Sequence, residues 1–361
     1  MPSLTKRCSP SHFRSRCPRL HFDLIRPVAS GILCLLSFAA TPAIAASGGI
    51  DEADDFRLER PSTTESLPEH VPARDGIAPT ALPVAAEAPY GPADPAATAD
   101  RPAPARYRTL GRQLGAIKWE MAAVLAYYTA VNGPKLFEDP TSPHTQKEGW
   151  FGKNTKNMGV DKLAHAYSAY VISELIYARL KHKTGNAPGI ALTAAGFASA
   201  TMLYTEFWDS IERSGGWSWE DVTFNSLGAG FSILRNSVPG LDKKLDFRLM
   251  IVPNSDIVTV EGKRHFEQQR YFMALKLSGF GAFERSPLRF LELHAGYYAK
   301  DFTNEDRAAG IPPKRRVFVG VGVNLRELFF KNSRSRIGRA AGEVLDYFQP
   351  PYTVLHRHVT N

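Results

Sequence analysis

Beyond residue 34 the chain has no cysteine; all three, Cys8, Cys17 and Cys34, lie near its N-terminus. If that end is removed, disulfides and thiolate metal sites are excluded, even in a compartment that would permit them. Standard catalytic signatures are also missing. There is no H-E-x-x-H, no G-x-S-x-G, no P-loop and no dinucleotide-binding glycine run. No helical segment is an uncharged apolar run of about 20 residues, so an ordinary membrane-spanning helix is not expected. Strong charge is lacking too. Of the formal +8, the first 45 residues contribute +5, from six Lys/Arg and Asp23, which leaves the remainder near +3. Nucleic-acid binding by a basic surface is therefore not expected.

What is present begins with an address. A basic lead-in (Lys6, Arg7, Arg14, Arg16, Arg19, Arg26) precedes the apolar run "VASGILCLLSFAA" from Val28 and then "TPAIAAS". This is the layout of a secretory signal over residues 1–45, with Ala43 and Ala45 before the cut. Cys34 makes a poor lipid-attachment site, because Leu33 stands where a small residue is needed. Residues 46–110 read as a linker. Ten of the 26 prolines fall between Pro61 and Pro104, among alanines and acids. Such a stretch has too few periodic apolar residues to offset its ordering entropy.

Helical periodicity then governs residues 111–240. The helices expected are Leu114–Val131, Asp161–His182, Gly189–Arg213 and Ser218–Asn236, each stopped by Gly, Pro or a basic end. Small residues recur in the last two (Ala194, Ala195, Gly196, Ala198; Gly228, Ala229, Gly230), which favours closely packed helices.

From residue 241 the period changes to two. In "RRVFVGVGVNLREL" the residues Val317, Val319, Val321 and Val323 face one way, and Phe318, Gly320, Gly322 and Asn324 the other. "RFLELHAGYYAK" and "RYFMALKLSGF" alternate similarly, and "DFRLMIV" reads as a shorter strand. One apolar face is left to cover. It can pack on the helices or meet lipid; a membrane barrel needs eight or more strands, so packing on the bundle is expected. Residues 241–361 thus form an antiparallel sheet plus a C-terminal amphipathic helix with an apolar stripe of Ile337, Ala340, Ala341, Val344, Leu345 and Phe348. The fold class is α+β.

Ionisable residues sit inside these apolar helices at shared-face spacings: Asp161 and His165, Glu206 and Asp209, Asp221 and Asn225. An unpaired buried carboxylate costs several kcal/mol, so each must be exposed, capped, paired or used. Two readings follow. In the first, Asp161, Lys162, Asp221, Asn225 and Gly228 belong to a structural polar network, with Lys162 and Arg213 as counter-ions and Ser218–Asp221 as a capping box. No cofactor is then expected. In the second, Glu206 and Asp209 with Asp221 hold a divalent metal or activate water, and His165 transfers the proton as in an envelope hydrolase.

The combination of "DKLAH", E-x-x-D before a Gly-Trp-Ser turn, and D-x-x-x-N-x-x-G resembles the uncharacterised YfiM-like family of predicted bacterial envelope proteins. "LHAGYYAKDF", "VFVGVGVNLREL" and "LDYFQPPYTVLH" resemble its longer members. The resemblance implies a periplasmic or outer-membrane-associated protein and no established activity. It carries over Asp161, Lys162, His165, Glu206, Asp209, Asp221, Asn225 and Gly228. The expected function is an exported envelope protein at a membrane surface, with the hydrolase as alternative.

Overall fold

Glycine sets the ends of the longest helix. A computed structural model describes residues 105–253 and 262–359, and in it Gly159 and Gly185 adopt φ of 81° and 66° at the two caps of α3 (Val160–Thr184). The first is also closely covered, since a β-carbon there would come within 2.3 Å of the Phe151 ring. Two helices precede α3: α1 (Leu110–Ala116) and α2 (Lys118–Asn132), broken at Ile117 where one helix had been expected. Two follow it, α4 (Ile190–Ser210) and α5 (Trp219–Ser237). The expected signal (1–45), and all but the last six residues of the expected linker, lie outside the described residues.

α3 is the central element, packed against both α4 and α5. Its crossing with α5 is backbone on backbone: a β-carbon on Gly228 would fall 1.9 Å from the Ala166 carbonyl oxygen. Further along the same interface Ser173 donates to Ser232 at 2.8 Å, and both are buried. Among the described residues no helix is long and apolar enough to cross a membrane.

The sheet has five antiparallel strands in sequence order: β1 (Leu245–Ile251), β2 (Gln269–Lys276), β3 (Leu291–Lys300), β4 (Lys314–Val323) and β5 (Val354–His358). Four match the expected strands, and β5 is additional. Short helices α6 (Gly262–Gln268), α7 (Asn304–Ala308) and α8 (Arg336–Val344) lie between them. α8 is shorter than the helix expected. It ends at Val344, before Leu345 and Phe348, and Ile337 on its supposed inner stripe is 76 % exposed.

The apolar face of the sheet divides in two. On β1 and β2 it covers the bundle, with Phe247 and Tyr271 each packed 5.7 Å from the Tyr167 ring of α3. On β3, β4 and β5 the same face continues into solvent, leaving Leu293, Val317, Val319, Val321 and Leu355 exposed. The opposite, more polar face is the buried one. Asp246, Arg248, Lys276, Glu292 and His294 lie there beside Phe272, Tyr298 and Phe318. Burying charges requires pairing. Arg248 reaches Glu292, Gln349 and Asp246, each at 2.7 Å, and Lys276 reaches Asp246 at 2.8 Å.

A single stretch of chain ties both sides of this sheet. The Leu249 N–H donates to the Tyr347 carbonyl and the Gln349 N–H to the Leu249 carbonyl, both at 2.9 Å, along the outer edge of β1. The same stretch then runs on as β5 to pair with β4. Asp346 and Gln349 meanwhile close the charged interior, through Arg326 and Arg248 respectively.

Candidate functional site

The ionisable residues of the bundle occupy one end of it. Asp161, Lys162 and His165 stand in the first turns of α3, and Glu206 and Asp209 in the last turns of α4. Asp221 and Asn225 stand in the first turns of α5. Two helix N-termini therefore meet there, and their dipoles favour Asp161 and Asp221. Over this end lies the segment 133–159, a 3-10 helix (Gly133–Phe137) followed by irregular chain, which delivers two further charges, Lys135 and Glu148. It is held by the α4–α5 turn. Thr141 N–H donates to the Ile211 carbonyl at 2.8 Å, and Trp217 N–H to the His144 carbonyl at 2.8 Å.

Three sub-clusters result. Lys162, almost wholly buried, contacts Asp221 at 2.8 Å, Asp161 at 3.1 Å and Glu148. Lys135 is equally buried and contacts Asp209 together with Glu212, the latter at 2.9 Å. Between them lies His165, with Nδ1 3.3 Å from Glu206 Oε1 and Nε2 3.8 Å from Asp221 Oδ1. Asn225 donates from Nδ2 to Glu206 Oε1 at 3.3 Å. Ser218 Oγ accepts the Asp221 N–H at 3.2 Å, so the cap expected at α5 is present, while the Asp221 carboxylate is turned to Lys162.

Six carboxylates face two lysines and one imidazole, and proton affinities shift accordingly. Burial raises Glu206 to about 8, with Asp221 and Asp209 adding to the rise and His165 opposing it. Burial and the repulsion of Asp221 raise Glu148 to about 7 despite Lys162. For His165 burial acts downward, yet Asp221 and Glu206 outweigh it and hold the imidazole up at about 9. Asp221 is the exception among the acids. Burial would raise it, but His165 and Lys162 bring it below the ordinary carboxylate value. At neutral pH this arrangement holds a protonated imidazole between a charged carboxylate and one that readily keeps its proton.

Asp161, Lys162, His165, Glu206, Asp221 and Asn225 therefore converge. Asp209 is turned to Lys135 instead of sharing a ligand set with Glu206. Arg213, expected as a counter-ion, pairs with Asp139 at the surface. Gly228 lies one turn further along α5 and serves the helix crossing. Glu148, Lys135 and Glu212 were missed, the first two because they belong to a segment with no periodicity. Two groups have the donor set and spacing to hold a cation: His165–Glu206–Asp221 and Glu148–Asp161–Asp221, with ligand atoms all within 4.8 Å of one another in each.

A separate feature lies between α3, α5 and the sheet. A cleft of about 310 Å³ is lined by Leu163, Phe224, Leu227, Met273, Ala295 and Tyr297, among other apolar residues. Leu227 at its mouth is 58 % exposed, and Ala295 is paired across β3–β4 with the exposed Val319. The cleft thus joins the outer side of α5 to the exposed face of the sheet.

Residues 147–237 match a family model described as "Predicted periplasmic lipoprotein (DUF2279)". The match takes in every residue of the polar centre except Lys135, and stops before the sheet. No curated protein and no solved structure matches the chain.

Proposed function

We propose that this is an exported envelope protein that rests on a lipid surface through the outside of its sheet, the polar network fixing the bundle behind it; the match of residues 147–237 to a model described as a predicted periplasmic lipoprotein supports the export. The observation that carries the reading is the inverted sheet. Charged residues fill its inside, and Leu293, Val317, Val319, Val321 and Leu355 point outward. Exposed apolar side chains gathered on one face in this way, with Arg357 opposite Val319 among them, mark an interaction site. Its chemistry suits phospholipid. Lys314, Arg315 and Arg316 begin β4 opposite Lys300 at the end of β3, so basic groups rim the apolar strip, Lys314 pairing with Asp301 and Arg315 donating to the Phe151 carbonyl. Apolar side chains flanked by Lys and Arg are the pattern of interfacial attachment to anionic membranes. The cleft beside Ala295 has room for part of an acyl chain. Attachment by this surface also suits a chain in which Leu33 precedes Cys34.

Flotation with phosphatidylethanolamine/phosphatidylglycerol vesicles tests the proposal. The wild-type protein is expected to float with the vesicles. A Val319→Asp/Val321→Asp variant with an unchanged circular dichroism spectrum is expected to stay at the bottom. Equal flotation of the two, or none of either, would overturn it.

A second reading, an acid/base hydrolase, is favoured by one observation: His165 is 22 % exposed while its partner Glu206 is buried, so the imidazole is reachable. Turnover of a lipid or cell-wall substrate that is abolished in His165→Ala would support it.

A further inference from the structure

We infer that His165, Glu206 and Asp221 form a binding site for a divalent transition-metal ion of the zinc or manganese class. The argument starts from a contrast between the two acid groups at the end of the bundle. In Glu148–Asp161–Asp221 the counter-charge is built in, because the Lys162 ammonium touches all three carboxylates. In His165–Glu206–Asp221 the lysine touches only Asp221, and the donors come from three different helices with their ligand atoms within 4.8 Å of one another. Two atoms each about 2.0–2.2 Å from one ion lie at most about 4.4 Å apart, so the three side chains would draw together on binding.

Unmade bonds mark the same place. His165 Nδ1 is buried and accepts or donates no hydrogen bond, although Glu206 Oε1 lies 3.3 Å away. Asn225 is 2 % exposed; it gives its N–H to Glu206 and leaves its carbonyl oxygen without a donor. Asp221 Oδ1 lies 2.8 Å from the Lys162 ammonium and 3.8 Å from His165 Nε2. Buried polar atoms are rarely left so, and two at one spot, His165 Nδ1 and Asn225 Oδ1, point to a missing ligand. One imidazole with two carboxylates suits Zn²⁺ or Mn²⁺ better than Ca²⁺ or Mg²⁺, which prefer all-oxygen shells. Asn225, holding Glu206, acts as the outer support of a ligand. The exposed edge of His165 gives an ion its route in. This assignment is independent of attachment to lipid.

Isothermal titration of the EDTA-stripped full chain tests it. Zn²⁺ and Mn²⁺ are expected to bind one ion per chain, at least tenfold tighter than Mg²⁺ or Ca²⁺. His165→Ala and Glu206→Gln are each expected to weaken binding tenfold or more. Asp209→Asn, which touches only the Lys135 pair, is expected to leave it within about threefold. Should either ligand variant fail to fold, the electron spin echo of Mn²⁺ bound to the wild-type protein gives the answer without it, through nitrogen modulation from one imidazole. Absence of binding, equal affinity for Ca²⁺, unaltered affinity in both ligand variants, or bound Mn²⁺ without nitrogen coupling would each overturn the assignment.

Discussion

Lys162 shows why spacing alone could not apportion the polar residues. The pattern Asp161–Lys162–x–x–His165 put an acid and an imidazole on one face and offered the lysine as a counter-ion, without saying to which acid. In the structure it is the most enclosed of the three, held by Glu148 from a segment without regular structure. Convergence of the helices and Lys162 as a counter-ion were legible; Lys135 and Glu148 came from residues 133–159 and were not. The sheet interior contains a second titratable feature. His356 stacks on Phe318 with ring centres 4.1 Å apart, and its Nε2 lies 3.3 Å from His294 Nδ1. Burial, then the neighbouring His294, Arg270 and His358, push this imidazole down to about 4. Its folded value lies below the unfolded 6.5, so its contribution is present above pH 6.5 and is lost as pH falls through about 4. With allowance for partial solvent access, the loss is on the order of 1–2 kcal/mol. Melting temperatures at pH 7 and pH 4.5 are expected to differ less for His356→Gln than for the wild-type protein.

Among the elements, the helices were read from their 3.6-residue period, and three of them appear within a few residues of the expected bounds. The exception is Leu114–Val131, which is broken at Ile117. β5 was missed because Val354–His358 is short and lies behind Pro350-Pro351, where a strand has little sequence to announce it. Which face of the sheet would be buried was also beyond the pattern. Alternation fixes that two faces differ, but only the partners decide which is covered, and here Arg248 pairs with both Glu292 and Asp246. The α3–α5 crossing gives a direct test at this scale. Gly228→Ala places a methyl against the Ala166 carbonyl and is expected to cost about 3 kcal/mol or more in urea unfolding. Gly230→Ala, two residues away with nothing within 4 Å of the added carbon, is expected to stabilise α5 by about 0.5–1 kcal/mol.

Bundle and sheet are joined by charge as well as by aromatic packing. Arg235 of α5 contacts Glu174 of α3 and Asp246 of β1, all three buried. Removing one partner from such a chain leaves the others uncompensated, which typically costs about 3–5 kcal/mol. All five tryptophans precede residue 220, so their fluorescence reports the bundle, whereas far-ultraviolet circular dichroism also senses the strands. The wild-type protein is expected to unfold with coincident midpoints by both probes, and Arg235→Met is expected to lower and separate them. The stretch 347–358 bears on the order of assembly. β1 is made about a hundred residues before the segment that lines its outer edge, so a nascent or prematurely halted chain presents an open flank and a set of half-matched charges. Only a chain translated through to those residues can shut the sheet, which makes synthesis through residue 358 the condition for resistance to proteolysis.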